Sequence, residues 1–196
     1  MTRISDQDRF EVHQRLGVKR YARTYQRPRI LLSRTYIDLA LIFCDVEKPK
    51  LCEIGCGVLD ICGPYALDSA IVTGYDFHES SVKFGMLQYP CAKIYCQDIN
   101  TITDIDCDIL VACEVLEHID DPVLLMHNIT KSTKLLVISH PINELANSGI
   151  TNGEHCWSYT EDDFDNWFIQ NGFTIYSKEY FDNGRLHSLI GIGEKL

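Results

Sequence analysis

The sequence predicts an α/β fold, a doubly wound and mostly parallel seven-stranded sheet that ends in an antiparallel hairpin. Short, nearly continuous apolar segments alternate with helical patterns from about residue 51 onwards, which is typical of parallel strands covered on both faces. The last two apolar segments are joined through Asp182-Asn183-Gly184, and Asn-Gly between two strand patterns favours a hairpin. A chain of 196 residues is long enough for one core of this size.

The elements follow one another in a regular order. Helical patterns open the chain at about 5–16 and 28–44, and Pro28 suits the first turn of the second helix. The predicted parallel strands cover residues 51–55, 71–77, 92–98, 108–115 and 134–140. The later helices are predicted at 78–88, 122–131 and 160–171, and the hairpin strands at 173–181 and 185–195. We therefore divide the chain into an N-terminal helical arm or lid, residues 1–48, and one larger domain, residues 49–196.

Composition indicates an ordinary globular protein, with 45% apolar and 23% charged residues. No apolar run has transmembrane length, and the polar N-terminus has no signal-peptide core, so we expect a cytoplasmic protein without a membrane partner. The nine cysteines include no CxxC pair, and several fall in predicted core strands. This pattern favours free, mostly buried thiols in a reducing compartment over a disulfide framework.

The arm is basic although the chain has a net charge of −10. Its first 34 residues hold nine of the 18 basic side chains and only three acids, and Tyr21 and Tyr25 are interleaved with the basic residues. Such a segment can bind phosphates and stack on bases, which makes RNA an alternative partner. The other interpretation is that the arm packs on the acidic remainder of its own chain.

The first predicted strand runs into the glycine loop Glu53-Ile54-Gly55-Cys56-Gly57. A dinucleotide site is disfavoured because Leu59 replaces the usual third small residue and Asp60 would face a pyrophosphate. A P-loop is disfavoured because no Gly-Lys-Ser/Thr follows. The third interpretation is a cofactor without phosphates. Two glycines would let the backbone approach its amino-acid and nucleoside parts, and an acid at the strand end suits positive charge on the ligand.

From about Lys50 to the C-terminus, the sequence resembles the class I S-adenosylmethionine-dependent methyltransferases. EIGCG matches the first motif of that family, CDILVACEVLEHIDDP the fourth, and KLLVISHP its fifth strand. The resemblance implies the Rossmann-like methyltransferase fold with a terminal hairpin, and S-adenosyl-L-methionine as the cofactor. It implies that Asp76 binds the ribose hydroxyls and Asp98 the adenine amino group. The expected cofactor-binding residues are Glu53, Gly55, Cys56, Gly57, Asp76, Phe77, Asp98 and Glu114.

Methyl transfer from a sulfonium is an in-line displacement, so the protein mainly positions donor and acceptor. A base is needed only when the acceptor is a hydroxyl or a protonated amine. His118 follows the fourth predicted strand and His155 the fifth, so we predict these two as the catalytic residues. The expected acceptor is an O or N atom of a small molecule. The alternative from another class is a catalytically idle binding subunit with the same fold, which the intact glycine loop and Asp76 disfavour.

A metal site is the remaining alternative. Glu114, Glu117 and His118 have the spacing i, i+3, i+4, which brings them to one side if the chain turns helically. Together with His155, this pattern is similar to that of small-RNA 3′-terminal ribose 2′-O-methyltransferases, where two glutamates and two histidines hold a divalent ion. That resemblance implies RNA 2′-O-methylation with Mg, Mn or Zn. Metal-free methyltransferases carry similar segments, so the primary prediction contains no metal.

Overall fold

The computed structural model describes residues 2–3, 27–144, 155–182 and 187–196. The strands are β1 Thr2–Arg3, β2 Lys50–Ile54, β3 Ile71–Asp76, β4 Lys93–Cys96, β5 Ile109–Cys113, β6 Leu135–Pro141, β7 Trp157–Ser158, β8 Phe173–Asp182 and β9 His187–Lys195. The α-helices are α1 Arg27–Phe43, α2 Glu79–Gln88, α3 Pro122–Ile129 and α4 Glu161–Ile169. Short 3₁₀ turns lie at Gly63–Ala66, Ile99–Thr101 and Leu116–His118.

The main sheet has seven strands in the order β4-β3-β2-β5-β6-β9-β8, and the predicted fold class is confirmed. Strands β2 to β6 pair in parallel, and β9 pairs antiparallel with both β6 and β8. Strand β2 lies between β3 and β5, so the chain order reverses direction there. In an open α/β sheet, this reversal opens a crevice at the carboxyl ends of the strands.

Two apolar cores lie on the two faces of the sheet. All five residues of β5 are buried, and they alternate between the cores because successive strand side chains point to opposite faces. One core includes residues of α1 and α2, and the other includes residues of α3 and α4. The doubly wound arrangement follows directly from strands that are apolar on both faces.

Most element boundaries agree with the sequence prediction. Helix α1 confirms the pattern at 28–44, and the last two strands are antiparallel neighbours with Asp182 opposite His187. The predicted turn residues Asn183 and Gly184, and the helix predicted at 5–16, lie outside the described residues. The strand predicted at 92–98 is shorter: β4 ends at Cys96, because Asp98 accepts a hydrogen bond from the Asn100 amide and begins a 3₁₀ turn.

The two-residue strand β1 was not predicted. It pairs antiparallel with β7, which starts two residues after His155. The nine cysteines all lie in the described ranges, are free, and are buried except for Cys91 and Cys96, as expected from the sequence. Within the described ranges, each helix is too short or too polar to cross a lipid bilayer.

Candidate functional site

The crevice has two sides. The glycine-loop side consists of residues 53–60 after β2 and residues 76–78 at the end of β3. The histidine side consists of residues 114–118 after β5, Glu144 after β6 and residues 155–160. Because β2, β3, β5 and β6 run parallel, their carboxyl ends bring these segments to the same edge of the sheet.

The glycines of the loop are required by backbone conformation and by close approach. Gly55 and Gly57 have φ of +62° and +54°, a region that disfavours residues with a Cβ. A Cβ on Gly55 would lie 2.3 Å from Cγ2 of Val115, on the histidine side. The two sides of the crevice therefore meet at Gly55, where no other side chain fits.

Leu59, in place of the third glycine, also has a positive φ of 61°. Its side chain is fully buried against β3, where a Cβ on Gly74 would lie 2.7 Å from the Leu59 Cδ1. The space that a small loop residue usually provides is thus supplied by a small residue on the neighbouring strand. The chain then forms a 3₁₀ turn, Gly63–Ala66.

Asp76 fixes the glycine loop from the neighbouring strand. Its Oδ2 accepts a hydrogen bond from the Gly57 amide at 2.8 Å, and its Oδ1 accepts one from the His78 amide at 2.7 Å. The residue is only 7% exposed. Two amide donors hold the carboxylate in one orientation. The predicted ribose acid is therefore an ordered side chain at the end of β3.

Glu53 is the second buried acid of the glycine-loop side. Its Oε2 accepts a hydrogen bond from the Cys62 amide at 3.0 Å. Burial raises the pKa of Glu53 to about 7, although that hydrogen bond and the positive charge of Arg29 act in the opposite direction. A carboxylate poised between its two protonation states near neutral pH would bind a cationic group with release of a proton.

The remaining predicted cofactor-binding residues before the histidine side are Cys56, Phe77 and Asp98. Cys56 is buried against Gly74, and burial raises the pKa of its thiol, which suits a space-filling role. Phe77 is 49% exposed beside Asp76. Asp98 is exposed, and its Oδ1 accepts hydrogen bonds from the backbone and side chain of Asn100 at 2.9 Å.

On the histidine side, the backbone of Glu114 adopts a left-handed conformation that its neighbours do not share. It has a positive φ of 55°, its amide donates to the Ser139 carbonyl at 2.7 Å, and its Oε1 accepts a hydrogen bond from the Ser139 hydroxyl. The helical turn that would align Glu114 with Glu117 and His118 covers only Leu116–His118. The left-handed residue thus separates Glu114 from the other two predicted ligands.

Glu117, His118 and His155 come together, as predicted. One carboxylate oxygen of Glu117 and one nitrogen of each ring all lie within 4.8 Å of one another, and the two rings meet edge to face at 4.7 Å. Glu117 is 1% exposed, and its Oε2 has no hydrogen-bond partner within the described part of the chain. Burial and the nearby charge of Glu114 raise the pKa of Glu117 to about 8.

Glu144, which the sequence analysis missed, completes the histidine side. Its Oε2 lies 2.6 Å from Nδ1 of His155, and both residues are buried. Burial alone would lower the pKa of His155, but the hydrogen bond to Glu144 and the charge of Glu117 raise it. The available signal was a charged residue three positions after the fully buried β6.

Main-chain and side-chain hydrogen bonds join residues 155–160 to the 3₁₀ turn. The Cys156 amide donates to the Glu117 carbonyl at 2.6 Å, and the Tyr159 hydroxyl donates to the Leu116 carbonyl at 3.0 Å. Tyr159 is fully buried and is a core residue. Its ring lies 4.5 Å from His140, whose Nδ1 donates to the Pro141 carbonyl, while burial lowers the pKa of His140 to about 4.

Comparison with protein families matches residues 23–178 to the family described as "Methyltransferase domain". Among solved structures, magnesium protoporphyrin IX methyltransferase from Synechocystis PCC 6803 with bound S-adenosylmethionine gives a TM-score of 0.76 at 15% identity, over 100% of both chains. The 1,6-didemethyltoxoflavin-N1-methyltransferase of Burkholderia thailandensis gives a TM-score of 0.68 at 12% identity, over 91% of this chain and 81% of that one. Comparison with curated proteins found no match. At these identities, the structural likeness shows the fold.

Proposed function

Because the chain belongs to the methyltransferase-domain family, we propose that it transfers the methyl group of S-adenosylmethionine to an oxygen or nitrogen atom of a small-molecule acceptor. The observation that carries this proposal is the connection between the glycine loop and Asp76. Two left-handed glycines follow β2, and the amide of the second donates to the acid that ends β3. Glycine backbone without side chains therefore lies next to a carboxylate that hydrogen bonds hold in place.

Each part of the proposed cofactor has a matching group on the glycine-loop side. A carboxylate has about four acceptor positions, so Asp76 can take ribose hydroxyls in addition to its two amides. Glu53, buried behind the loop, would balance the ammonium and sulfonium charges. Phe77 and Asp98 would lie along the adenosine. No part of this set requires a pyrophosphate, in keeping with Leu59 at the third glycine position.

The acceptor would meet the methyl group beside the histidine side. The side chain of His118 is 16% exposed and that of His155 is 3% exposed, so His118 is nearer to solvent. Either ring could take a proton from an acceptor hydroxyl or amine. By their names, the magnesium protoporphyrin and didemethyltoxoflavin enzymes act on small molecules, which supports an acceptor of that class.

The proposal is tested by calorimetry with S-adenosylmethionine, followed by methyl-donor turnover against pooled RNA, sugars, amines and phenols. We expect binding of the methyl donor and transfer to one small-molecule pool. Absence of binding would contradict the proposal at its first step. Binding without turnover in any pool would favour the idle binding subunit instead.

The group of Glu117, His118 and His155 favours a second candidate function, metal-dependent 2′-O-methylation of RNA. The fit is supported by the mixed oxygen and nitrogen donors within 4.8 Å, and by the buried Glu117 oxygen without a partner among the described residues. When bound there, a divalent ion would lower the pKa of an acceptor hydroxyl. Glu114 would contribute only after a change in its present hydrogen bonding to Ser139.

Removing metal ions distinguishes between the two candidate functions. For the second function, we expect chelation to abolish transfer to RNA and Mg, Mn or Zn to restore it, while His155→Ala loses metal binding in a direct titration. His127→Ala, which removes an exposed histidine of α3 outside the metal group, serves as the matched control. Full activity in the chelator would eliminate the metal function and leave the first proposal in place.

We also propose that the N-terminal arm covers the acceptor side of the crevice. This is supported by β1, which pairs with β7 next to His155, whereas α1 contacts the glycine-loop side, where Arg34 donates to the Asp60 carbonyl. Deleting residues 1–26 preserves α1, so we expect weaker acceptor methylation with unchanged cofactor affinity. Full activity of the truncated protein would contradict the lid. A steeply salt-dependent loss of RNA binding on the same deletion would favour RNA as the acceptor.

A further inference from the structure

Helix α1 has its N-terminus at the edge of the sheet that carries the crevice. Directly after the helix, burial raises the pKa of the Cys44 thiol, and the charges of Asp108 and Lys134 also act on it. Those two residues directly precede β5 and β6, at the amino edge of the sheet. In the middle of the helix, by contrast, the Arg34 Nε donates to the Asp60 carbonyl, in the loop after β2, at 3.2 Å. The helix therefore runs antiparallel to these strands.

Arg29 lies in the first turn of α1, at the level of the crevice. Burial raises the pKa of the Cys113 thiol to about 11, while the nearby Ser33 hydroxyl lowers it. Cys113 is the last residue of β5, so Ser33 marks the end of that strand. Arg29 precedes Ser33 by one helical turn. At about 1.5 Å per residue, its backbone therefore stands about 6 Å beyond the end of β5.

The guanidinium of Arg29 acts on acids of both sides of the crevice but is bonded to neither. Burial raises the pKa values of Glu53 and Glu114, and the positive charge of Arg29 lowers both. Among the described residues, Arg29 has no hydrogen bond and no carboxylate within salt-bridge distance, and it is half-buried. Removing a charge partly from water without a partner is costly. Such an arginine is better explained by a ligand than by packing.

Two buried hydroxyl groups at the same end of the sheet also lack a partner. Ser33 and Ser188 are both 0% exposed, and neither Oγ has a hydrogen-bond partner among the described residues. Ser188 lies opposite Pro141, the last residue of β6, and its hydroxyl is a further group that lowers the pKa of Glu114 against burial. Unsatisfied buried hydroxyls are uncommon, and a ligand with oxygen acceptors would satisfy them.

We propose that Arg29 binds the carboxylate of an α-amino-acid group in the crevice, with the ammonium of the same group facing Glu53. The inference deepens the proposed function and rests on it. A lone carboxylate would be repelled by the neighbouring acids, whereas a zwitterion matches the arginine and an acid at once. An arginine also holds a carboxylate through two parallel hydrogen bonds. Two ligands of methyl transfer can carry such a group, namely the methyl donor through its methionine part and an amino-acid acceptor.

The donor is tested first, by calorimetry with S-adenosylhomocysteine and its decarboxylated analogue, which keeps the ammonium but lacks the carboxylate. If the donor supplies the carboxylate, the wild type should prefer S-adenosylhomocysteine by about 10–100-fold. Arg29→Ala should lose this preference, and Arg29→Lys should recover part of it because the charge remains without the planar fork. Arg34→Ala is the matched control on the same helix. It should weaken both compounds alike and keep the preference.

The acceptor is tested by turnover with amino acids and with the corresponding amines, which lack the carboxylate. If the acceptor supplies the carboxylate, Arg29→Ala should raise the KM of an amino acid by about tenfold or more and leave that of its amine unchanged. An unchanged donor preference without this KM effect would overturn the inference. Failure of the proposed function is distinguished from that result, because the wild type would then bind neither S-adenosylhomocysteine nor its analogue.

Discussion

The two sides of the crevice differ in how completely their buried polar groups are hydrogen-bonded. On the glycine-loop side, both oxygens of Asp76 accept main-chain hydrogen bonds, and Glu53 accepts one from Cys62. On the histidine side, the Glu117 Oε2 is buried without a hydrogen-bond partner among the described residues, as is the Nε2 of His140 in the adjoining strand β6. The first side is already organised for a ligand. The second retains unsatisfied polar groups, which is a cost that binding sites carry and cores avoid.

Among the substitutions considered, Gly55→Ala should disrupt the glycine-loop side most severely. The new Cβ would stand 2.3 Å from Val115 in a backbone with φ of +62°, so both steric overlap and backbone strain oppose it. We expect a loss of about 2–5 kcal/mol in the free energy of unfolding, with loss of cofactor binding. Chemical denaturation and calorimetry measure the two effects.

Gly172→Ala is the matched control for that change. Gly172 also has a positive φ, +80°, but a Cβ there meets nothing within 4 Å. Only the backbone term remains, so we expect a loss of about 1–2 kcal/mol. Equal losses in the two variants would show that close packing between Gly55 and Val115 does not hold the two sides together.

Asp76→Ala should have the next largest effect. It removes the acceptor for the Gly57 and His78 amides as well as the predicted partner of the ribose. We expect cofactor affinity to fall by about 2–4 kcal/mol in calorimetry. Asp98→Ala removes an exposed acid from the next strand end and should cost much less. An affinity in Asp76→Ala equal to that of the wild type would refute the cofactor assignment.

Cofactor affinity should also depend on pH through Glu53. Its carboxyl has a pKa of about 7 because it is buried, and a cationic ligand would lower that pKa. Binding therefore releases a proton below pH 7 and weakens as the pH falls, by about tenfold per unit. Calorimetry between pH 5.5 and 7.5 measures the slope. Glu53→Gln should bind more weakly with no slope, and a slope that persists in this variant would assign the proton to another group.

The smallest expected effects are at two neighbouring rings, His140 of β6 and Tyr159 of the histidine side. His140→Leu removes a buried Nε2 without a described partner, but it also removes the hydrogen bond from Nδ1 to the Pro141 carbonyl. Because these two contributions oppose each other, the free energy of unfolding should change by less than about 1 kcal/mol. Tyr159→Phe removes a satisfied bond to the Leu116 carbonyl and should lower it by about 1 kcal/mol. Urea denaturation compares both with the wild type. A much larger loss in His140→Leu would show that the His140 Nε2 has a partner in solution.

The sequence was sufficient for the features that depend on local pattern. Strand β5 could be located because five consecutive apolar residues belong to a strand buried on both faces. Gly57 and Asp76 could be placed at one edge of the sheet because parallel strands end there. The helix predicted to start at residue 122 does begin at Pro122, where the Asp121 side chain accepts a hydrogen bond from the Leu124 amide.

The features that the sequence could not supply depend on contacts between distant residues. Leu59 fits its position only because Gly74, on another strand, leaves space for it. Glu114 departs from the predicted helical turn through a single left-handed residue, which no side-chain pattern specifies. Glu144 meets His155 from the far side of residues 145–154, and spacing alone does not predict that return.

The pairing of β1 with β7 also has a consequence for the order in which the molecule forms. Gly57 and Asp76 are 19 positions apart, whereas β1 joins residues 2–3 to residues 157–158. Closing a longer loop costs more chain entropy, and non-local pairs form late in folding. We therefore expect pulsed hydrogen exchange during refolding to protect the Gly57 amide before the amides of β7. On the ribosome, the first half of the crevice would be complete before residue 155 had been synthesised.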